Sequence, residues 1–372
     1  MTTERDSSAP TDFRRTPQSA ESAASRPSTP HSDGAPPSLA PGSRRDIGEA
    51  VRRDRVYRNG ALEAEGFDVA RISDYLGEDG TVVWLDLCEP ALEDLQVLAD
   101  EFGLNPLAVE DAVSERQRPK LDRYSDHVFL SVYGIRLDEA GELHTSEIAA
   151  FASPRFLITV RKDGHFDMDR VVATWDNSKD LSGHGVGYLL WGLLDTLVDD
   201  HFTAVQALDE DADELEGALF DERPRSKEVQ RRSFQMRKSL VGLRRVVLPM
   251  REVVNSLLRR DIGLVAEPML PYYQDVYDHV LRAAEWTESL RDLVSTILET
   301  NLTIQGNRLN EVMKRLTSYA AIIAVPTAVT GFYGQNVPYP GFQSHWGFAA
   351  SISIMLGSMA VLFLVFRRKG WL

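Results

Sequence analysis

The sequence predicts an α/β cytosolic domain followed by a long helical stalk and two C-terminal transmembrane helices. Three observations carry that expectation. Short apolar runs with strand character alternate with helical spacing over residues 47–167. After Met168 the strand signals stop, and helical patterns take over. Two apolar stretches, about 316–333 and 346–366, close the chain, and each is long enough to cross a bilayer as a helix.

Length and composition bound the rest. A chain of 372 residues holds one large domain or two to three ordinary ones. Its 41 basic and 56 acidic side chains give a formal net charge of −15. Phosphate recognition needs a basic field, so no nucleic-acid partner is expected, whereas cationic ligands suit the charge. A hydrophobic fraction of 43% excludes a many-span membrane protein. The single cysteine, Cys88, excludes a disulfide framework and a multi-thiolate zinc site. No apolar run precedes Val51, so no secretory signal peptide is expected.

Residues 1–46 read as a disordered tail rich in Ser, Thr, Pro, Ala and Gly, passive or regulatory. In the α/β domain, 81–87, 127–133, 147–152 and 156–160 read as strands and imply a small sheet. Residues 91–102 and 106–113 have helical spacing, with Gly103 as the stop after the first.

Residues 168–266 read as two antiparallel helices of opposite charge. Residues 199–222 carry ten acidic side chains and no Lys or Arg. Residues 223–260 carry twelve basic and two acidic ones, with Pro224 at the turn. Two readings stay open: mildly matched solvated faces, or an acidic surface that concentrates divalent cations. Within the stalk and first span, 267–333, only Pro271 and Pro326 interrupt the helical pattern from Met269 to Tyr333, which would reach ~100 Å. A rod of that length calls for copies of itself as support.

The loop 334–345 contains no Lys or Arg, whereas Arg308, Lys314 and Arg315 precede the first span and Arg367, Arg368 and Lys369 follow the second, within the terminal segment 367–372. The positive-inside rule then places both termini in the cytoplasm of a cell-membrane protein. Read at steps of three and four, Asn310, Met313, Thr317, Ala320, Ala324, Thr327, Gly331 and Gly334 form a stripe that is small or polar except at Met313. Such a stripe fits either close helix packing or an aqueous pore lined by several copies. The second span reads as an outer, lipid-facing helix. No P-loop, Gly-x-Ser-x-Gly or His-Glu-x-x-His motif is present, so no enzyme is expected.

The C-terminal motifs resemble those of the CorA-type divalent metal ion transporters. The resemblance rests on 310–317, on Pro326-Thr327, on Tyr333-Gly334-Gln335-Asn336, and on the ending Arg367-Arg368-Lys369-Gly370-Trp371-Leu372. Upstream, Asn105-Pro106-Leu107, Glu110-Asp111, Arg116-Gln117-Arg118-Pro119-Lys120 and 275–279 extend it to residues 50–372. What the resemblance implies is a CorA-like homopentameric funnel in the lipid bilayer that transports Mg²⁺, with Co²⁺ or Ni²⁺ as further cargo. It implies a selectivity loop of Gly334, Gln335 and Asn336, and a pore lined by Asn310, Met313, Leu316, Thr317 and Thr327. It also implies Asp111 and Asp275 as a cytosolic pair that binds regulatory divalent ions between subunits, and no organic cofactor. The family signature has Met where Gln335 stands, and relatives that differ there include zinc transporters, so zinc is the alternative cargo. A membrane-anchored sensor or scaffold without flux is the alternative of another class.

The physical chemistry runs parallel to the resemblance. Mg²⁺ gives up its water reluctantly, so neutral oxygen dipoles such as the Asn336 amide suit the hydrated ion. Carboxylates, absent from 319–333, would be costly there. Met313 and Leu316 supply apolar rings that close by dewetting. Asp111 and Asp275 supply the hard oxygens Mg²⁺ prefers.

Overall fold

The computed structural model describes residues 51–68, 71–114, 117–220, 226–259 and 262–372. The expected tail 1–46, the turn at Pro224 and Arg116 of the family segment lie outside the described residues.

The chain opens with strands β1 (Val51–Arg58) and β2 (Ala61–Glu65), helix α1 (Ile72–Leu76) and strand β3 (Thr81–Cys88). Helices α2 (Leu92–Phe102) and α3 (Pro106–Val113) lead to β4 (Lys120–Arg123), β5 (Val128–Leu137), β6 (Leu143–Ala152) and β7 (Phe156–Arg161). The strands form one sheet of order β2-β1-β3-β7-β6-β5-β4, parallel between β3 and β7 and antiparallel between the other neighbours. The small sheet expected from four strands is therefore a seven-stranded one. β1 escapes the apolar pattern because it is crowded with charged residues: Arg55 is buried and pairs with Glu65 and Asp176.

Both faces of the sheet are covered, which explains why β3 is buried over Thr81–Leu87. Val83, Leu85 and Leu87 point to the core under α1, α2 and α3. Val82 and Trp84 point to the opposite core, built with α4 (Met168–Asn177), α5 (Val186–Leu219), α6 (Ser226–Leu257) and α7 (Leu270–Tyr333). Trp84 meets Trp175 edge to face at 4.7 Å, and the Trp175 indole N–H donates to the Leu189 carbonyl at 2.9 Å. Gly192 admits this ring, because a Cβ there would lie 2.5 Å from it.

Helix α7 is a single element of 64 residues, about 96 Å long. Its first half is fastened to the rest of the chain. The Tyr273 hydroxyl donates to the Gly187 carbonyl at 2.8 Å, the Trp286 N–H to Asp209 at 3.2 Å, and the Asn301 amide to the Ser226 carbonyl at 3.3 Å. Charge matching between α5 and α6 centres on Arg232, which reaches Asp211 and Glu214. Lys238 and Arg244 turn instead to Glu142 and Glu288. Helix α8 (His345–Arg368) returns along the second half of α7. These are the two helices long and apolar enough to cross a membrane among the described residues.

Candidate functional site

In the isolated chain the residues of the second half of α7 divide by face. Asn310, Met313, Thr317, Ala320, Ala324, Thr327, Gly331 and Gly334 are all exposed. Ser318 is buried, and Ala321, Ile322, Val325, Val329 and Tyr333 are half-buried. With α8 packed along α7, the small-residue stripe is left without a partner inside the chain. Met313 and Leu316, 51% and 61% exposed, leave apolar surface in the same position. Pro326 lies inside the helix, which runs on past it to Tyr333. The Thr330 hydroxyl donates to the Pro326 carbonyl at 2.7 Å.

The helix ends in a tight turn. The Gly334 N–H donates to the Thr330 carbonyl at 2.8 Å and the Gln335 N–H to the Phe332 carbonyl at 3.3 Å, which engages carbonyls that a helix C-terminus otherwise leaves free. The side-chain amides of Gln335 and Asn336 are exposed and, among the described residues, have no hydrogen-bond partner. They are available to accept hydrogen bonds from ion-bound water.

Asp111 and Asp275 lie on different elements, α3 and α7. Asp111 accepts from Lys120 at 2.6 Å and from Gln117 at 3.2 Å. Asp275 is 67% exposed and stands 3.9 Å from His279, one turn away on α7. Among the described residues no three His, Cys, Asp or Glu side chains of one chain converge tightly enough to hold a metal ion. Any site formed by the pair must draw ligands from a second copy or keep part of the ion's water.

The structure adds a residue that sequence reading missed. Burial of Asp195 on α5, reinforced by the charges of Asp199 and Asp275 and opposed by His279, pushes its carboxyl up to about 6. Asp275 of α7 therefore lies close enough to Asp195 and Asp199 of α5 for their like charges to be felt, with His279 offsetting them in part. The four-residue spacing of Asp195 and Asp199, matched by Asp275 and His279, is the signal that was available.

Known proteins share this sequence pattern and fold. A family model described as CorA-like Mg²⁺ transporter protein matches residues 79–368. The cobalt/magnesium transport protein CorA of Thermotoga maritima is 34% identical over 301 residues, covering 79% of this chain and 85% of the relative. The zinc transport protein ZntB of Yersinia pseudotuberculosis is 25% identical over 333 residues, covering 86% of this chain and 96% of the relative. The complete structure of the CorA magnesium transporter from Methanocaldococcus jannaschii shares the fold, with a TM-score of 0.71, 21% identity, and coverage of 86% of this chain and 98% of that one. The chain belongs to the CorA-like Mg²⁺ transporter family and is a divalent-cation transporter rather than an enzyme.

Proposed function

We propose that the protein is a homopentameric, potential-driven Mg²⁺ channel of the cell membrane, with both termini cytoplasmic. Its five copies of Gly334-Gln335-Asn336 form the mouth, and the stripe through Asn310, Met313, Thr317 and Thr327 lines the pore with Leu316. Mg²⁺ is both cargo and regulator, and Co²⁺ or Ni²⁺ passes by the same route. With ion bound, Asp111 of one copy and Asp275 of the next bridge subunits and hold the Met313 and Leu316 rings closed. When the internal ion falls, the bare carboxylates repel and the assembly loosens. No organic cofactor takes part.

The observation that carries this reading is the continuity of α7. One helix joins the acidic face at Asp275 to an exposed, carboxylate-free stripe and to the free amides of Gln335 and Asn336. Zinc is the second reading, favoured by the ZntB relatives and by Gln335 in the signature. Against it, the two spans contain no Cys and no His other than His345 at the first position of α8.

Flux into liposomes holding the purified protein and a Mg²⁺-sensitive dye, under an inside-negative potential, separates the readings. Mg²⁺ enters through the wild type, and Asn336→Ala slows entry about ten-fold or more, the effect of losing acceptors for a charged, hydrated ion. Zn²⁺ entry without Mg²⁺ entry would move the protein to the zinc reading. No flux of either ion from an inserted oligomer would end both.

A further inference from the structure

Beyond the signature triplet, the external loop contains a built feature that neither the motif nor the pore stripe explains. Residues 332–346 are mostly exposed, yet Tyr333 and Tyr339 are half-buried, even though six positions separate them. Their rings meet edge to face at 5.1 Å. Tyr339 also contacts Phe332 at 6.0 Å and Phe342 at 5.3 Å, so four aromatic rings fold the loop back onto the end of α7. Aromatic pairs of this geometry add stability beyond the area they bury. The far side of the loop is fixed as well. The Phe342 N–H donates to the Tyr339 carbonyl at 3.0 Å. Gly341, at φ +89°, comes so close to Gly347 and Trp346 that a Cβ would lie 2.9 Å from each.

The decisive contact is polar. The Tyr339 hydroxyl donates to the Tyr333 carbonyl at 3.1 Å. That carbonyl belongs to the peptide unit leading directly into Gly334. At a helix C-terminus it has no partner from the helix itself. The two preceding turn bonds end on Thr330 and Phe332, so the Tyr339 bond is the third to engage a carbonyl of the last turn before the triplet. The N–H of the Tyr333–Gly334 peptide is held by Thr330 and its carbonyl by Tyr339, so both polar ends of the unit that leads into Gln335 and Asn336 are engaged, the second from outside the helix.

We propose that Tyr339 is a positioning residue for the Gly334-Gln335-Asn336 ring: its hydroxyl orients the Tyr333–Gly334 peptide, and the ring's recognition of the hydrated ion depends on that orientation. The inference rests on the channel reading. It assigns the specificity of the mouth to the loop after the motif as well as to the motif itself.

The test compares wild type, Tyr339→Phe and Tyr339→Ala in liposomes. The readout is block of Mg²⁺ entry by cobalt hexaammine, an exchange-inert mimic of a hydrated cation, normalised to each variant's own unblocked rate. Removing one hydrogen bond predicts about a five-fold rise in the half-blocking concentration for Tyr339→Phe. Tyr339→Ala shows at least the same rise, and less inserted oligomer because the ring contacts are gone. If the ring merely packs, Tyr339→Phe behaves as wild type and only Tyr339→Ala is impaired, which overturns the proposal. Absence of Mg²⁺ entry in the wild type would instead remove the channel reading on which it rests. If Tyr339→Phe fails to assemble, hydrogen exchange at the Gln335 and Asn336 amides in Tyr339→Trp, which keeps the ring contacts and moves the polar group, serves in its place. Faster exchange there supports the hydroxyl's role, and wild-type exchange overturns it.

Discussion

Trp175 and Trp346 are the same residue type in opposite circumstances. Trp175 is 1% exposed, packed edge to face with Trp84 and hydrogen-bonded to Leu189. Trp346 is 67% exposed at the start of α8. The contrast extends to the regions around them. The sheet and the first half of α7 fill two cores from one copy of the chain. Beyond Asn301, α7 buries only Ser318, and α8 buries only Gly347. An apolar helix left unburied in its own chain finds its partners outside that chain. The N-terminal sector owes its order to its own packing, whereas the hairpin owes its order to its surroundings.

The largest expected effect sharpens that contrast. Trp175→Ala removes a ring fixed on both sides and should cost ~3–5 kcal/mol. Trp346→Ala should leave the unfolding of the N-terminal sector unchanged within ~0.5 kcal/mol. Thermal unfolding in detergent, followed by near-ultraviolet circular dichroism, reads both. Equal losses from the two substitutions would break the division into two regions.

A smaller effect concerns His201, which is wholly buried on α5 with its Nε2 2.8 Å from the Tyr133 carbonyl. Its Nδ1 has no partner. Burial holds its imidazole down at about 4, although the hydrogen bond to Tyr133 opposes the shift. A depressed value means that the unfolded chain binds the extra proton first. The stabilisation from neutral His201 is therefore complete above about pH 6.5 and is lost as pH falls toward 4, by roughly 3 kcal/mol. His201→Gln, which keeps a donor for the Tyr133 carbonyl, should lose less stability than wild type between pH 6.5 and 4. Parallel pH profiles for the two proteins would show that His201 does not titrate in this way.

The sequence was most readable where a single physical demand dominates. Val83, Leu85 and Leu87 in β3 are apolar because both faces of the sheet are covered, and the two spans are apolar because lipid requires it. It was least readable where charges carry the structure. β1 reads as a polar segment until Arg55 is seen against Glu65 and Asp176. β4 is four residues, Lys120–Arg123, too short to show a period. At the candidate site the triplet at 334–336 and the stripe were visible as pattern. Asp195 was not, because its significance comes from α5 lying beside α7. Tyr339 was equally silent, since its ring and hydroxyl act across a fold-back of the chain.

The central claim is that ion held at the acidic face controls the pore through α7. The direct test is Mg²⁺ entry into liposomes as a function of the Mg²⁺ already inside, for wild type and for Asp111→Asn with Asp275→Asn. Wild-type entry should fall steeply as internal Mg²⁺ rises. The double variant should keep conducting, with its half-inhibiting concentration raised about ten-fold or more as two hard carboxylate ligands are lost. A double variant that folds, conducts and closes at the wild-type concentration would contradict the claim.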